Sequence, residues 1–588
     1  MSGLMSARCI LLAALFSLAT AVKEAGGVAS RPPAPIEVEG EVGPVTRLAD
    51  GRIASVYAVG RPAAKWGDTS IPQKVFGRFS KDGRSWSGPE LLLTLPEWPG
   101  LLDPYAAPLG TRDGALHYFS LLKHHLDQPI DWRKAYTELV HAISRDGGKT
   151  WGEPRKIDWG RRWSGTLNSV IQVKTGRIVL PFCYLTSNRV TGLFAVRALL
   201  SDDGGETWKT SRNEVTVDSG GKVLESGAIE PAAVELVDGR IWLAIRTQTG
   251  YLFESYSADG GETWTPARRT SFRATNCPLN VLRLRSGALL LIWNNEFGEQ
   301  LFHGVSYSRQ SLTMAIDDGK GWRGYRQVNR PFGLDEDPRA VANYPFLAEA
   351  LDGDVVVSFR ERRRPGEVGR FRMLRVDPKW LLEVDAVEDF AGGSANLCLV
   401  GTAGPSVATA PAGRPALHLQ RTKADRPSGF TWNFPFGRKG SLELRLRIEP
   451  GAGGVYFSLS EYQLRPSNRE GGAFRWMVDP DLNWRVQYTN DGPYLEEPGP
   501  HPNLTLGDIC PRAEAGPILD LTVDWDCDTN VARLQQNGRF VATLVGLEPA
   551  RGIGYVRVHS AAPGVDLKGV WVLGSRSHSE PWIPGRST

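Results

Sequence analysis

Short apolar runs broken by turn residues recur along the first two thirds of the chain. Six segments share one pattern: an apolar run, a tight turn at a glycine, then a second apolar run. They are Val45–Ala58 around Gly51, Leu109–Leu121 around Gly114, Ser169–Pro181 around Gly176, Ala233–Ile245 around Gly239, Val281–Trp293 around Gly287, and Phe346–Arg360 around Gly353. Alternating β-branched residues on both sides of an Asp-Gly-like turn predict a β-hairpin in each. No segment carries the sustained 3.6-residue period of a long amphipathic helix.

A second motif interleaves with the hairpins. Ser80-Lys-Asp82-Gly-Arg-Ser-Trp86 recurs as Ser144–Trp151, Ser201–Trp208 and Ser257–Trp264, with a degenerate copy at Ala315–Trp322. The aspartates Asp82, Asp146, Asp203, Asp259 and Asp317 are spaced by 64, 57, 56 and 58 residues. In such a turn Asp caps backbone N–H groups, Gly takes a positive φ and Trp packs back between sheets. Six hairpins alternating with five such turns predict six four-stranded blades, an all-β six-bladed propeller over 36–384. Beyond Trp380 the motif stops. Residues 385–416, rich in Gly, Ala, Pro and Ser, read as a linker or an irregular domain start. Regular short strands then predict an antiparallel β-sandwich over 417–576, with a hairpin turning at Asn537-Gly538.

Composition narrows the class. The chain has 588 residues, 41% hydrophobic and 23% charged, which excludes a disordered or collagen-like protein. A net charge of +4 with no basic block argues against nucleic acid as a partner. Arg8, the apolar run Ile10–Ala19 and the small-x-small triplet Ala19-Thr20-Ala21 predict a signal peptide over 1–21, hence a periplasmic or secreted protein. That run is too short to span a membrane, and no later one reaches the length. Cys183, Cys277, Cys398, Cys510 and Cys527 are too scattered for a disulfide framework or metal cluster. Cys510 and Cys527 are the nearest pair. His117, His124 and His125 match no standard ligand spacing, so neither metal nor other cofactor is expected. Asn503-Leu-Thr505 is an acceptor sequon only in a glycosylating host.

The turn motifs with their flanking strands resemble the Asp-box, or BNR, repeats of the sialidase superfamily, and the resemblance spans 36–384. It implies that the five motif aspartates are structural and that the site lies at the central axis. Gly227-Ala-Ile-Glu230-Pro231, followed by the hairpin ending at Arg246, resembles the family's fourth blade. There the Glu polarises a catalytic tyrosine and the Arg holds the substrate carboxylate. Arg309 stands where a second carboxylate-binding arginine is found. Tyr344, in Asn343-Tyr344-Pro345, stands at the nucleophile's position, and Arg61 and Asp68 resemble the first-blade arginine and the loop acid/base. Each assignment has a plainer alternative: an ion pair for Glu230 and Arg246, a surface arginine, a core tyrosine, a turn-forming aspartate.

A neutral phenol suits an anionic sugar, because a carboxylate nucleophile would be repelled by the substrate's own charge. One departure stands out. The family opens its first blade with Arg-Ile-Pro, whereas this chain has Val42-Gly43-Pro44, and the family's Tyr-Glu in the last blade is replaced by Phe359-Arg360. Arg360 is therefore expected to fill the vacated place, completing a triad with Arg246 and Arg309. The resemblance implies a monomeric, exo-acting retaining glycosidase that removes a terminal sialic acid from a glycan. A uronate-specific hydrolase and a non-catalytic glycan-binding propeller are the alternatives. The C-terminal part loosely resembles concanavalin/laminin-G-like jelly rolls, on Val523-Asp-Trp525 and the Asn537-Gly538 hairpin. Trp432, Trp476 and Trp484 are candidates for stacking on sugars, or for its core.

Overall fold

Six sheets, antiparallel but for a short parallel pairing of Leu193–Phe194 with Ser226–Gly227 in the third, succeed one another along the chain in a computed structural model, each built on one of the six hairpins. The structure describes residues 31–60, 68–125, 134–160, 164–186, 193–218, 226–297, 301–302, 305–306, 308–332, 340–364, 366–400, 406–410, 413–422, 428–464, 472–486, 505–506, 513–547, 549–562 and 564–580. The chain is all-β. Among the described residues the only helix is a 3-10 turn, Pro378–Leu382, and no helix is long and apolar enough to cross a membrane. The signal segment, Arg61, Cys510 and Asn503 lie outside these residues. Cys527 forms no disulfide with a described residue.

The hairpin turns are alike because their geometry demands glycine. The six turn glycines have φ between +86° and +98°, which a side chain disfavours. Each following turn motif is closed by its aspartate. In the third motif, Asp203 accepts from the Ser201 hydroxyl, the Thr207 hydroxyl and the N–H groups of Glu206 and Thr207. The Thr207 hydroxyl and then its N–H hold the Asp203 carboxyl well below the usual carboxylate range, as Thr150 does for Asp146.

Each sheet is apolar on both faces, so each needs a neighbour on either side. On strand Ile241–Arg246 all six residues are buried, and alternate ones go opposite ways. Ile241, Leu243 and Ile245 pack with Val179 and Val196 of the third sheet. Trp242 and Ala244 pack with Val281 and Leu291 of the fifth. Clusters of this kind fill every successive sheet-to-sheet space, and one joins the sixth sheet to the first through Val45, Ile53, Phe346 and Val356. The inner strands of all six sheets line one cavity of about 340 Å³. Strand Ala34–Ile36, near the start of the chain, pairs with Arg370–Val376 as the outer strand of the sixth sheet.

Apart from two short two-stranded pairings, Glu296–Phe297 with Gln463–Leu464 and Leu301–Phe302 with Val305–Ser306, the remaining strands form a nine-stranded and a six-stranded sheet around one core. Strand Lys439–Ile448 shows the pattern, burying Leu442, Leu444, Leu446 and Ile448 while exposing Glu443 and Arg445. Trp432, Trp476 and Trp484 are 3%, 0% and 7% exposed, so they are core residues and not sugar-stacking platforms. The segment 385–416 is more than a linker. Asp385–Glu388, Leu397–Val400 and Ser406–Thr409 are strands of these two sheets, and the first already pairs with Asp566–Ser579. Asp385–Glu388 and Leu397–Val400 pair with Asp566–Ser579 and Gly429–Gly437, far away in sequence, and Ser406–Thr409 pairs with Pro415–Arg421.

Arg551 fastens this part to the fourth and fifth sheets. It donates to Glu461 at 2.7 Å through Nε, to Ser271 at 2.8 Å and to Tyr325, and lies over the Phe272 and Tyr325 rings. Glu461 is 3% exposed, so removing its partner strands a buried charge. Arg551→Met is expected to lower unfolding stability by about 3 kcal/mol in denaturant titration. A second expectation concerns acid. Because folding lowers the Asp203 pKa, its contribution is complete above the unfolded value near pH ~4 and is lost as pH falls below it. Asp203→Ala should lower the melting temperature by a few degrees at pH 7, and the gap to wild type should close on acidification; equal melting at pH 7 would refute this.

Candidate active site

Two residues carry an unusual backbone. Glu230 has φ +39° and Tyr344 φ +50°, in the left-handed region that non-glycine residues rarely adopt. Each sits where a β-bulge breaks the register of its hairpin, between Ile229 and Ala232 and between Asn343 and Phe346. A bulge re-aims its side chain out of the regular alternation. Here both side chains turn toward each other from the fourth and sixth sheets, and the Tyr344 hydroxyl donates to Glu230 Oε1 at 3.1 Å.

Glu230 is otherwise closed in. Arg246 Nη1 donates to its Oε2 at 2.5 Å, and the Thr166 N–H donates to Oε1 at 3.2 Å. Asn168 Nδ2 fixes its main-chain carbonyl at 3.0 Å. The side chains of Glu230 and Arg246 are 6% and 3% exposed, so this is a buried pair and not a solvent-screened surface bridge. Asn276 Oδ1 receives Arg246 Nε at 2.5 Å, and the Asn276 carbonyl receives Arg309 Nε at 2.9 Å. The network therefore runs Tyr344–Glu230–Arg246–Asn276–Arg309.

Tyr105 lies against it. Its ring is 4.1 Å from that of Tyr344, and the Arg360 guanidinium is 5.8 Å from the Tyr105 ring centroid. Burial, then the Glu230 charge, push the Tyr344 phenol far above its usual range; Arg246 and Arg309 pull it back. Burial likewise raises the Tyr105 phenol, with Arg360 the strongest opposing charge. Arg246, Arg309 and Arg360 are thus ranged around one pair of tyrosines. Val42, at the position of the missing arginine, is 5% exposed and belongs to the apolar cluster that also packs Tyr344 and Phe371. Cβ atoms are unwelcome beside it: one added at Gly43 would sit 2.4 Å from the Val56 carbonyl.

Five expected residues are described and brought to this region or near it: Glu230, Arg246 and Tyr344 by direct contact, Arg309 and Arg360 by position and charge. Arg61 is outside the described residues. Asp68 is in an Asx turn, accepting from the Ser70 N–H at 3.1 Å and the Ser70 hydroxyl at 2.5 Å. Tyr105, Asn276, Thr166 and Asn168 were not foreseen. They share a signal, since each lies a few residues before the inner strand of its hairpin, whereas Glu230 and Tyr344 lie near the start of Ile229–Glu235 and Val341–Glu349 themselves. His117 forms a stacked buried pair with His141, its Nδ1 3.1 Å from His141 Nε2, and burial lowers its pKa to about 4. No group of three or more metal-ligating side chains occurs among the described residues.

Residues 66–357 match the family described as "BNR repeat-like domain". A sialidase of Micromonospora viridifaciens is 26% identical over 312 residues, which is 47% of this chain and 44% of that protein. Residues 66–357 form a BNR repeat-like domain, and a sialidase is among its relatives. This BNR-repeat chain spans less than half the length of the curated relative it matches. Among solved structures, a Dyadobacter fermentans protein of unknown function aligns at TM-score 0.45 and 20% identity over 60% of this chain and 99% of its own. A Trypanosoma rangeli sialidase bound to the inhibitor DANA aligns at TM-score 0.41 and 13% identity, over 94% and 96%. Likenesses this low carry no argument about the BNR-repeat chain, whose site rests on its own geometry.

The buried pair is testable apart from any activity. Arg246→Met should cost about 3–5 kcal/mol of unfolding free energy by leaving Glu230 uncompensated. The double variant with Glu230→Gln should recover part of that loss, and additive losses would refute the coupling.

Proposed function

We propose that this chain is a secreted, monomeric, exo-acting glycoside hydrolase of sialidase type, built as a six-bladed propeller over 36–384 and a β-sandwich over 417–576. The observation that carries the reading is the Tyr344 hydroxyl donating to a Glu230 that is itself paired with Arg246, with Arg309 and Arg360 alongside. The cyclic order of apolar clusters supports the propeller, since a closed ring leaves no sheet face uncovered.

In this reading the arginines receive the substrate carboxylate, where a planar guanidinium pairs two oxygens at once. The raised phenol pKa keeps Tyr344 neutral until the reaction. As its oxygen bonds to the anomeric carbon, its proton passes to Glu230, and the bond to the leaving oxygen breaks. Asp68 protonates that oxygen. In the second half Asp68 takes a proton from water, the water oxygen bonds to the anomeric carbon, and Tyr344 leaves and recovers its proton from Glu230. The sugar is released with retained configuration. Arg61 is assigned to substrate binding beside Asp68. The signal peptide over 1–21 directs the protein to the periplasm or the exterior.

A second reading changes the sugar. Val42 presents an apolar wall where the family's first arginine would stand, which favours a smaller acidic sugar such as a uronate. Turnover of a fluorogenic sialoside decides between them. Wild type is expected to hydrolyse it, with Tyr344→Phe slower by roughly two orders of magnitude or more. Turnover of uronides but not sialosides would select the second reading, and saturable binding without any turnover would leave a glycan-binding protein. Arg360→Ala should raise KM for the acidic substrate; wild-type kinetics would remove Arg360 from the clamp.

A further inference from the structure

Arg360 has an unusual seat. It lies on strand Val355–Arg362, opposite Asn343 on one neighbouring strand and Phe371 on the other. Gly369 lies close against its guanidinium. A Cβ added at Gly369 would stand 2.7 Å from Arg360 Nε, 2.8 Å from Cζ and 2.9 Å from Nη2. The guanidinium occupies that place only because residue 369 carries no side chain. Gly369 is not among the glycines of positive φ, so its own backbone does not demand glycine. The demand comes from Arg360.

Tyr105 supplies the second restraint. Its ring centroid is 5.8 Å from the Arg360 guanidinium, 4.1 Å from the Tyr344 ring and 5.9 Å, edge on, from the Phe371 ring. Tyr105 is 8% exposed, so packing fixes the ring itself. One fixed ring therefore sets the spacing between Tyr344 and Arg360.

Charge separates Arg360 from the other two arginines of the site. Arg246 is neutralised by Glu230, and Arg309 gives its Nε to the Asn276 carbonyl. Among the described residues no carboxylate pairs with Arg360. The adjacent Glu361 is taken up by Arg363 at 2.7 Å and Arg372 at 3.7 Å. Burial raises the Tyr105 phenol above its ordinary pKa, so this neighbour is neutral and cancels no charge. Arg360 is half-buried, whereas Arg246 is buried.

We propose that Gly369 and Tyr105 are positioning residues that hold Arg360 as the cation by which the site tells an acidic sugar from its neutral counterpart. The proposal rests on the reading in which this site receives a sugar carboxylate. A long, flexible arginine loses rotamer freedom when it captures a ligand. Held in advance, its planar fork meets two carboxylate oxygens without that loss. A side chain at 369 would push only the flexible end of Arg360, so the fold survives and recognition changes.

The test uses N-acetylneuraminate and its methyl ester, which differ in the carboxylate charge, each titrated calorimetrically into the full chain. Wild type is expected to bind the acid about 10–100-fold more tightly than the ester. Gly369→Ala and Tyr105→Leu should each reduce that ratio by about 10-fold through weaker acid binding, and Tyr105→Phe should restore most of it. Added to Arg360→Ala, Gly369→Ala should change nothing further. An unchanged ratio in Gly369→Ala, or an equal further loss on top of Arg360→Ala, would overturn the proposal; an unchanged ratio in Tyr105→Leu would remove Tyr105 from it. If wild type prefers only glucuronate over its methyl ester, the same cycle run on that pair decides. No preference in either pair would overturn the proposal, since Arg360 would then meet no carboxylate. If Tyr105→Leu does not fold, the Gly369 cycle decides. Failure of the hydrolase reading shows separately, as discrimination that persists while the fluorogenic sialoside is not turned over.

Discussion

Each of the first six sheets is apolar on both faces, and that constraint organises the molecule. A sheet with two apolar faces is stable only with a neighbour on each side, and six such sheets satisfy one another only when the last meets the first. The cluster of Val45 and Ile53 with Phe346 and Val356 is that meeting. The pairing of Ala34–Ile36 with Arg370–Val376 ties a segment ahead of the first sheet into the sixth by main-chain hydrogen bonds. Where the inner strands converge on one cavity, residues at or just before the start of each are brought together. Tyr105, Asn168, Glu230, Asn276 and Tyr344 come from five different sheets and meet there for that reason.

The gathered residues are held against their own preferences. Glu230 and Tyr344 take left-handed backbone conformations that are unfavourable by about 1–3 kcal/mol each. Glu230 and Arg246 surrender hydration. Such strain persists only where the surrounding packing over-determines it, and the sheets on either side do so. The gain is a preorganised charge pattern: one buried carboxylate beneath a phenol and three cations around it. The turn motifs lie elsewhere in their sheets and contribute stability alone, since their aspartates are consumed by the hydroxyl and N–H groups of their own turns.

Much of this was legible in the chain, wherever local chemistry decides the outcome. A turn glycine with φ near +90° is visible in sequence because no other residue replaces it comfortably, and all six hairpins were found through it. Glu230, Arg246, Tyr344 and Arg309 are singled out in the sequence by their resemblance to the motifs of a known family. Tyr105 and Asn276 were missed because a tyrosine or asparagine before a strand is ordinary until its neighbours from other sheets are known. The strands Asp385–Glu388 and Leu397–Val400 carry little local signal because their order comes from Asp566–Ser579 and Gly429–Gly437, far along the chain.

The sequence by itself determined the turns and the number of repeated units, since these follow from backbone preferences and from side-chain alternation within a few residues. Only the tertiary structure decided which side chains share a site. Tyr344 and Glu230 are 114 residues apart and Tyr325 and Arg551 are 226 apart. No local preference reaches across such distances. The packing of apolar faces brings those residues together, and burial then turns an ordinary Glu, Arg and Tyr into a coupled group.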